Sequence, residues 1–200
     1  MNLPTLSILI PGVPTRLIPG SSLVVELYRQ VAELSADKQV EIIWLVDNFQ
    51  RTIGGKRQSL VELARGEYLV FIDDDDMVPH NYIKKLLEAI KSGPDVITFL
   101  QSVDWNGSVG TIEFKLTNTD EPFKGKSGIT KRRPWHVCCW KSSIAKQCEF
   151  PELNWGEDSP WVDQATPLAK TEVHIPEVLH IYSHYDSTSE SSIRLRKEGI

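Results

Sequence analysis

Four aspartates stand in a row, Asp73 to Asp76, directly after the apolar run Tyr68-Leu-Val-Phe-Ile72. Adjacent carboxylates repel by roughly 1 kcal/mol each even at the dielectric of water, and by more when partly buried. A divalent cation offsets that repulsion, and hard carboxylate oxygens suit Mg²⁺ or Mn²⁺. A calcium loop of the EF-hand kind is disfavoured, because Met77 and Val78 stand where a ligand and a glycine are needed. A solvated acidic turn with capping aspartates is the competing reading. Farther along, Glu157 and Asp158 precede Ser159-Pro160. That order places Asp158 at a helix start, where the dipole favours an ionised carboxylate.

The elements that would position these groups alternate. Leu6 to Ile10, Val40 to Val46, Tyr68 to Ile72 and Val96 to Leu100 are short runs of Val, Ile, Leu and aromatics, suited to strands buried on both faces of a parallel sheet. A helix is expected from Ser21-Ser22, with the serines as caps and Leu23, Leu27, Val31 and Leu34 as its apolar face. A second runs near Lys56 to Ala64. A third has Pro79 near its first turn and Gly93 as its stop. This β-α-β-α-β-α-β order implies a Rossmann-like, right-handed α/β sheet. Ligands of such sheets bind at the carboxyl ends of the strands, here Pro11-Gly12, Asp47-Asn48 and the four aspartates. Beyond residue 100 the pattern changes. Val103 and Trp105, then Asn106-Gly107, then Ile112 and Phe114 predict a hairpin. Lys124 to Arg133 reads as a basic loop, Pro160 to Lys170 as a helix shortened by Pro167, and Val173 to Tyr182 as a strand broken at Pro176.

Composition sets the bounds. Two hundred residues with 40% hydrophobic and 24% charged side chains describe one globular domain. A chain of this length buries roughly 70% of its unfolded surface and needs no disulfide or metal to hold a core. A net charge of −5 argues against a general nucleic-acid binder. Three cysteines, without a C-x-x-C spacing, read as reduced thiols and a cytoplasmic setting. Leu3 to Val25 is broken by four prolines and Arg16, so no membrane span or signal peptide is expected.

Gly55-Lys56-Arg57-Gln58-Ser59-Leu60, Ala64-Arg65-Gly66-Glu67-Tyr68 and Phe71-Ile72 with the aspartates, in that order, resemble the family-two inverting glycosyltransferases of GT-A fold. Leu6-Ser-Ile-Leu-Ile-Pro11 and Trp155-Gly156-Glu157-Asp158 resemble two further blocks of that family. The resemblance covers about residues 5 to 184. It implies a mostly parallel nucleotide-binding sheet over residues 1–100, a smaller antiparallel acceptor-side part over 101–185, and a mobile tail over 186–200.

What the resemblance implies for single residues is specific. Pro11, Asp47, Lys56, Arg57, Asp73 and Asp74 fall on donor-binding positions, Asp47 at the nucleoside. Gln58 replaces the family's usual Asn. Asp73 and Asp75 match its D-x-D pair, which reaches the metal through the second aspartate, and a slip of one place keeps Asp74 and Asp76 in view. Glu157-Asp158 matches its E-D pair, with Asp158 as the base that activates an acceptor hydroxyl. His184 is expected to close on the metal or diphosphate, with His180 as rival. Trp135, His136 and Trp155 are expected on the acceptor side. Four of six tryptophans (135, 140, 155 and 161) lie in this half, and flat aromatic faces suit sugar rings or a core. The basic loop would cap a pyrophosphate, bind an anionic acceptor or face solvent.

The reading that follows is a metal-dependent (Mn²⁺ or Mg²⁺) inverting glycosyltransferase. Its donor would be a nucleotide sugar, a UDP-sugar foremost. Its acceptor would be a hydroxyl on a glycan, a protein, a small molecule or a modified nucleic acid. The alternatives are a nucleotidyltransferase, for which Pro11-Gly12-Val13-Pro14-Thr15-Arg16 is the wrong opening, and a non-catalytic sugar- or nucleotide-binding module.

Overall fold

The computed structural model describes residues 3–185. The expected tail from residue 186 lies outside them. Strand β1 (Leu6–Gly12), buried along its whole length, pairs in parallel with β2 (Val40–Val46) on one side and β3 (Tyr68–Phe71) on the other. Helix α1 (Leu17–Glu33) and helix α3 (Tyr82–Ile90) cover one face of this sheet. Leu23, Leu27 and Val31 of α1 meet Leu6, Ile8 and Ile10 there. Helix α2 (Ile53–Leu63), α4 (Ser142–Ala145) and α5 (Asp158–Ala165) cover the other face, around Leu9, Leu69, Phe71 and Trp140.

The sheet has eight strands and is mixed. After β4 (Val96–Trp105), a hairpin through Asn106 and Gly107, both at positive φ, leads into β5 (Ser108–Phe114). Two left-handed residues in a two-residue turn are what Asn-Gly supplies. Then come β6 (Ile129–Arg132), β7 (Cys139–Lys141) and β8 (Glu172–His184), giving the order β2-β1-β3-β7-β4-β5-β6 with β8 paired to β4. The parallel strands β1 to β3 agree with the expected nucleotide-binding half. However, β4 is not the next parallel neighbour of β3. The three residues of β7 lie between them, antiparallel to both.

Several local expectations need correction. Helix α1 begins at Leu17, four residues before Ser21. The Ser21 and Ser22 hydroxyls donate back to the Ile18 carbonyl, at 2.8 and 3.2 Å, and cap nothing. Pro19 fits the first turn because no N–H is required of it there. Helix α2 starts three residues earlier than expected, where the Thr52 hydroxyl accepts from Gly55 N at 2.9 Å. A Cβ on Gly54 would fall 1.8 Å from the Pro151 carbonyl oxygen, so this glycine lets the 151–154 loop close on the helix. Pro79 lies ahead of α3, where its carbonyl accepts from Tyr82 N. Val96 to Trp105 is one continuous strand. Strand β8 continues past Pro176, with register shifts against Leu100 of β4. The basic loop is in part β6, and Lys124 and Arg133 are paired with Glu121, Asp120 and Asp163. All three cysteines are buried and free of disulfides. Among the described residues no helix is long and apolar enough to cross a membrane.

Candidate active site

The carboxyl ends of β1 and β3, the start of α5 and the end of β8 open on one cavity of about 900 Å³. Its wall carries Pro11, Lys56, Arg57, all four aspartates, Trp135, His136, Trp155, Glu157, Asp158 and His184. Of the residues expected in the site, only Asp47 stands off the wall. Its carboxylate is sealed behind Lys56 Nζ at 2.9 Å and accepts from the N–H groups of Arg51 and Phe49. Burial opposes ionisation of Asp47, but Lys56 and the Arg51 N–H outweigh it and hold its pKa low. Lys56 also donates to the Gly12 carbonyl at 2.7 Å, so it clamps the ends of β1 and β2 together.

The four aspartates divide into different jobs. Asp74 turns inward, accepting from Val13 N at 2.8 Å and Arg16 at 3.1 Å, which ties the loop after β1 to the end of β3. Asp76 is buried against His180, whose Nε2 stands 3.1 Å from Asp76 Oδ2. Gln101 Nε2 lies 2.8 Å from the other ring nitrogen of His180. The backbone of Met77 pairs with Ile181, which fastens the aspartate loop to β8. Asp73 and Asp75 face the cavity. Burial and the neighbouring aspartates push Asp75 up to about 7, although Arg16 at 2.9 Å pulls the other way. At Asp73 burial is outweighed by Arg57, and the pKa is lowered.

Arg57 is the link across the site. Its Nε donates to Glu157 Oε1 at 3.0 Å, and Nη2 donates to both oxygens of Asp73 at 2.9 and 3.1 Å. Gly156, at φ 72°, turns the chain so that Glu157 points to Arg57 and Asp158 opens α5. Asp158 accepts from Ser159 N at 2.8 Å. Burial, then the Glu157 charge, raise its carboxyl to about 6 against the opposing pull of Arg57. His136 is buried beside it, Nδ1 to Asp158 Oδ2 3.8 Å, and burial pushes the imidazole pKa down, which favours the neutral ring.

The tryptophans separate by burial. Trp140 and Trp161 pack edge to face in the core, Trp161 also stacking on Phe150, so neither offers a face to a ligand. Trp155 is exposed, and Trp135 lies under the Arg132 guanidinium at 5.1 Å. His184 stacks on Trp105 with ring centres 4.1 Å apart and takes a contact from the Tyr182 hydroxyl at its Nδ1. Sequence reasoning missed Arg16, whose only signal was its place just past the first strand. It also missed the partnership of His180 with Asp76, which no local pattern shows.

A mixed α/β sheet with an acidic loop after β3 and a carboxylate pair at the start of α5 defines a class, and the comparisons name it. Residues 21–146 match the model described as glycosyl transferase family 2. The chain belongs to that family. It is 24% identical over 155 residues to EpsH of Bacillus subtilis (strain 168), a protein carrying a glycosyltransferase name, which covers 65% of this chain and 44% of EpsH. Its fold is similar to that of S. aureus TarS 1-349, with a TM-score of 0.64 at 17% identity over 90% of this chain and 60% of that one. TarS 1-349 in complex with UDP-GlcNAc gives a TM-score of 0.59 at 14% identity, over 94% of this chain and 60% of that one. This chain therefore spans less than half of EpsH and three-fifths of the TarS fragment. The fold is of the GT-A type, as the first strands and the aspartates implied.

Proposed function

We propose that the chain is a metal-dependent inverting glycosyltransferase that moves a sugar from a nucleotide sugar, a UDP-sugar foremost, to an acceptor hydroxyl. The observation that carries this reading is the Arg57 bridge. It holds the aspartate loop and the Glu157-Asp158 pair on opposite sides of one cleft. The UDP-GlcNAc complex of TarS, a protein of the same fold, supports the choice of donor.

In this mechanism Asp158 takes the proton of the acceptor hydroxyl as that oxygen attacks the anomeric carbon. The bond from that carbon to the departing diphosphate breaks on the opposite face. Glu157 does not share the proton; it holds Arg57, which in turn fixes Asp73. The apolar part of the cavity wall, Val103, Ile112, Phe114 and Val137, lowers the local dielectric and strengthens each of these contacts. The donor set fits a hard divalent cation, because burial and then the neighbouring aspartates raise the Asp75 carboxyl to about 7 in spite of Arg16, and a cation would offset both. Asp75 and Asp73 would hold it, with His184 as the nitrogen candidate. Among the described residues no group of three or more such side chains is assembled for a metal; donor phosphate oxygens and water would supply the remaining ligands, as is usual for Mg²⁺. A bound Mg²⁺ or Mn²⁺ neutralises the departing diphosphate.

The test is release of UDP from UDP-GlcNAc, UDP-glucose and UDP-galactose with and without Mn²⁺, alongside thermal shifts. Metal-dependent UDP release supports the reading. No release and no stabilisation by any of the three refutes it, and pyrophosphate release from UTP plus a sugar phosphate would indicate nucleotidyl transfer instead.

A further inference from the structure

Six buried polar atoms on the cavity wall lack a hydrogen-bond partner among the described residues; beside Asp76 Oδ1, His180 Nε2 and Arg132 Nε, three of them belong to two neighbouring side chains, Arg57 (Nη1) and His136 (both ring nitrogens). The residues are only 4% and 7% exposed. Buried donors and acceptors are nearly always paired, so unpaired nitrogens on side chains that line a cavity point to a ligand that pairs them.

Their position narrows the ligand. His136 packs edge-on against Phe71 and lies beside Asp158, while Arg57 spans Asp73 and Glu157. The two side chains thus occupy the interval between the aspartate loop and the base. In the proposed reaction that interval holds the ring being transferred, since its anomeric carbon must lie between diphosphate and acceptor. Charge narrows it further. The guanidinium is flanked by two carboxylates, and a neutral imidazole adds no charge, so this corner has no excess positive charge to hold a phosphate. A neutral imidazole presents one N–H and one lone pair, which match a hydroxyl that both gives and takes. Arg57 Nη1 can only donate, which matches a second oxygen.

We propose that His136, with Arg57 Nη1, binds the hydroxyl or amide oxygens of the donor's transferred sugar. This rests on the donor reading given above, and it moves His136 from the acceptor side to the donor side. His136 is then a specificity-determining residue that separates one sugar from another, and it takes no part in holding the nucleotide.

The experiment is calorimetric titration, with Mn²⁺ present, of UDP and of UDP-GlcNAc, UDP-glucose and UDP-galactose into wild type and His136→Phe. The phenyl ring keeps the packing on Phe71 and removes both nitrogens. UDP affinity should stay within about twofold, while the best-bound UDP-sugar should weaken about tenfold, the loss expected for one buried hydrogen bond. His136→Ala reads the same difference if the Phe variant fails to fold. Equal losses for UDP and UDP-sugar, or no loss for either, overturn the proposal while UDP binding by wild type keeps the donor reading intact. Wild type that binds none of the four ligands overturns both.

Discussion

Replacing Asp158 by Asn removes a base and a source of instability in one step. The carboxyl is 23% exposed, and its pKa is raised from 3.8 to about 6, first by burial and then by Glu157. Because the folded state holds the proton more tightly than the unfolded chain, folding loses stability as pH rises from about 4 through 6. Above that range the full penalty applies, at most about 3 kcal/mol for a shift of this size. Asn carries no such penalty and still accepts the Ser159 N–H as a cap does. The variant should therefore melt several degrees higher than wild type at pH 7, at about 2–4 °C per kcal/mol for a chain of this length. That gap should close as the pH is lowered toward 4. Activity should move the other way. Wild-type transfer should fall about tenfold for each pH unit below 6, and the Asn variant should lose 10²–10⁴-fold at pH 7 without the acidic limb. Donor affinity should hold, since the base acts on the acceptor. Melting curves from pH 4.5 to 7.5 and initial rates across the same range measure both. Parallel melting curves, or near-normal transfer by the folded variant, would refute the role given to Asp158.

Asp75→Asn should remove the melting-temperature gain that Mn²⁺ plus UDP gives wild type, since mass action requires the site; thermal shift with and without metal reads it, and an unchanged gain puts the cation elsewhere. His180→Ala should cost about 3–5 kcal/mol in urea denaturation, because it leaves the Asp76 carboxyl buried without its partner. His184→Ala should instead keep the fold and weaken UDP binding, and the reverse ranking would exchange the roles of the two histidines. Gly12→Ala should lose about 1–3 kcal/mol, because its Cβ would lie 2.2 Å from the indole nitrogen of Trp44 and force a shift.

The donor half was legible because each of its signals is local. An apolar run and a turn residue lie within ten residues of one another in β1, and in β2 and β3 the apolar run ends directly in aspartate. What the sequence hid depends on distant partners. Cys139 to Lys141 is too short to show a period, and only its pairing with Tyr68-Leu69 and Val96-Ile97, some 70 and 40 residues earlier, makes it a strand. The charges of Lys124 and Arg133 look solvated until Asp120, Glu121 and Asp163 are placed beside them. Trp140 and Trp161 look like sugar platforms until the core closes over them. His180 and Asp76 lie 104 positions apart, and nothing in either neighbourhood announces the other.

The placement of β7 has a consequence for how the chain is made. Residues up to about 72 suffice to assemble β1, β2 and β3 with α1 and α2, all through nearby connections. At that moment one edge of β3, Tyr68-Leu-Val-Phe, is an apolar strand with unpaired backbone groups. The segment that covers it, β7, does not leave the ribosome until some 70 more residues have been added. A nascent chain therefore carries an exposed, sticky edge for several seconds at ordinary synthesis rates. Such edges recruit other chains. Truncations that end before Cys139 should then be far more prone to aggregate than the loss of mass alone suggests, because the missing piece is the strand that closes the middle of the sheet.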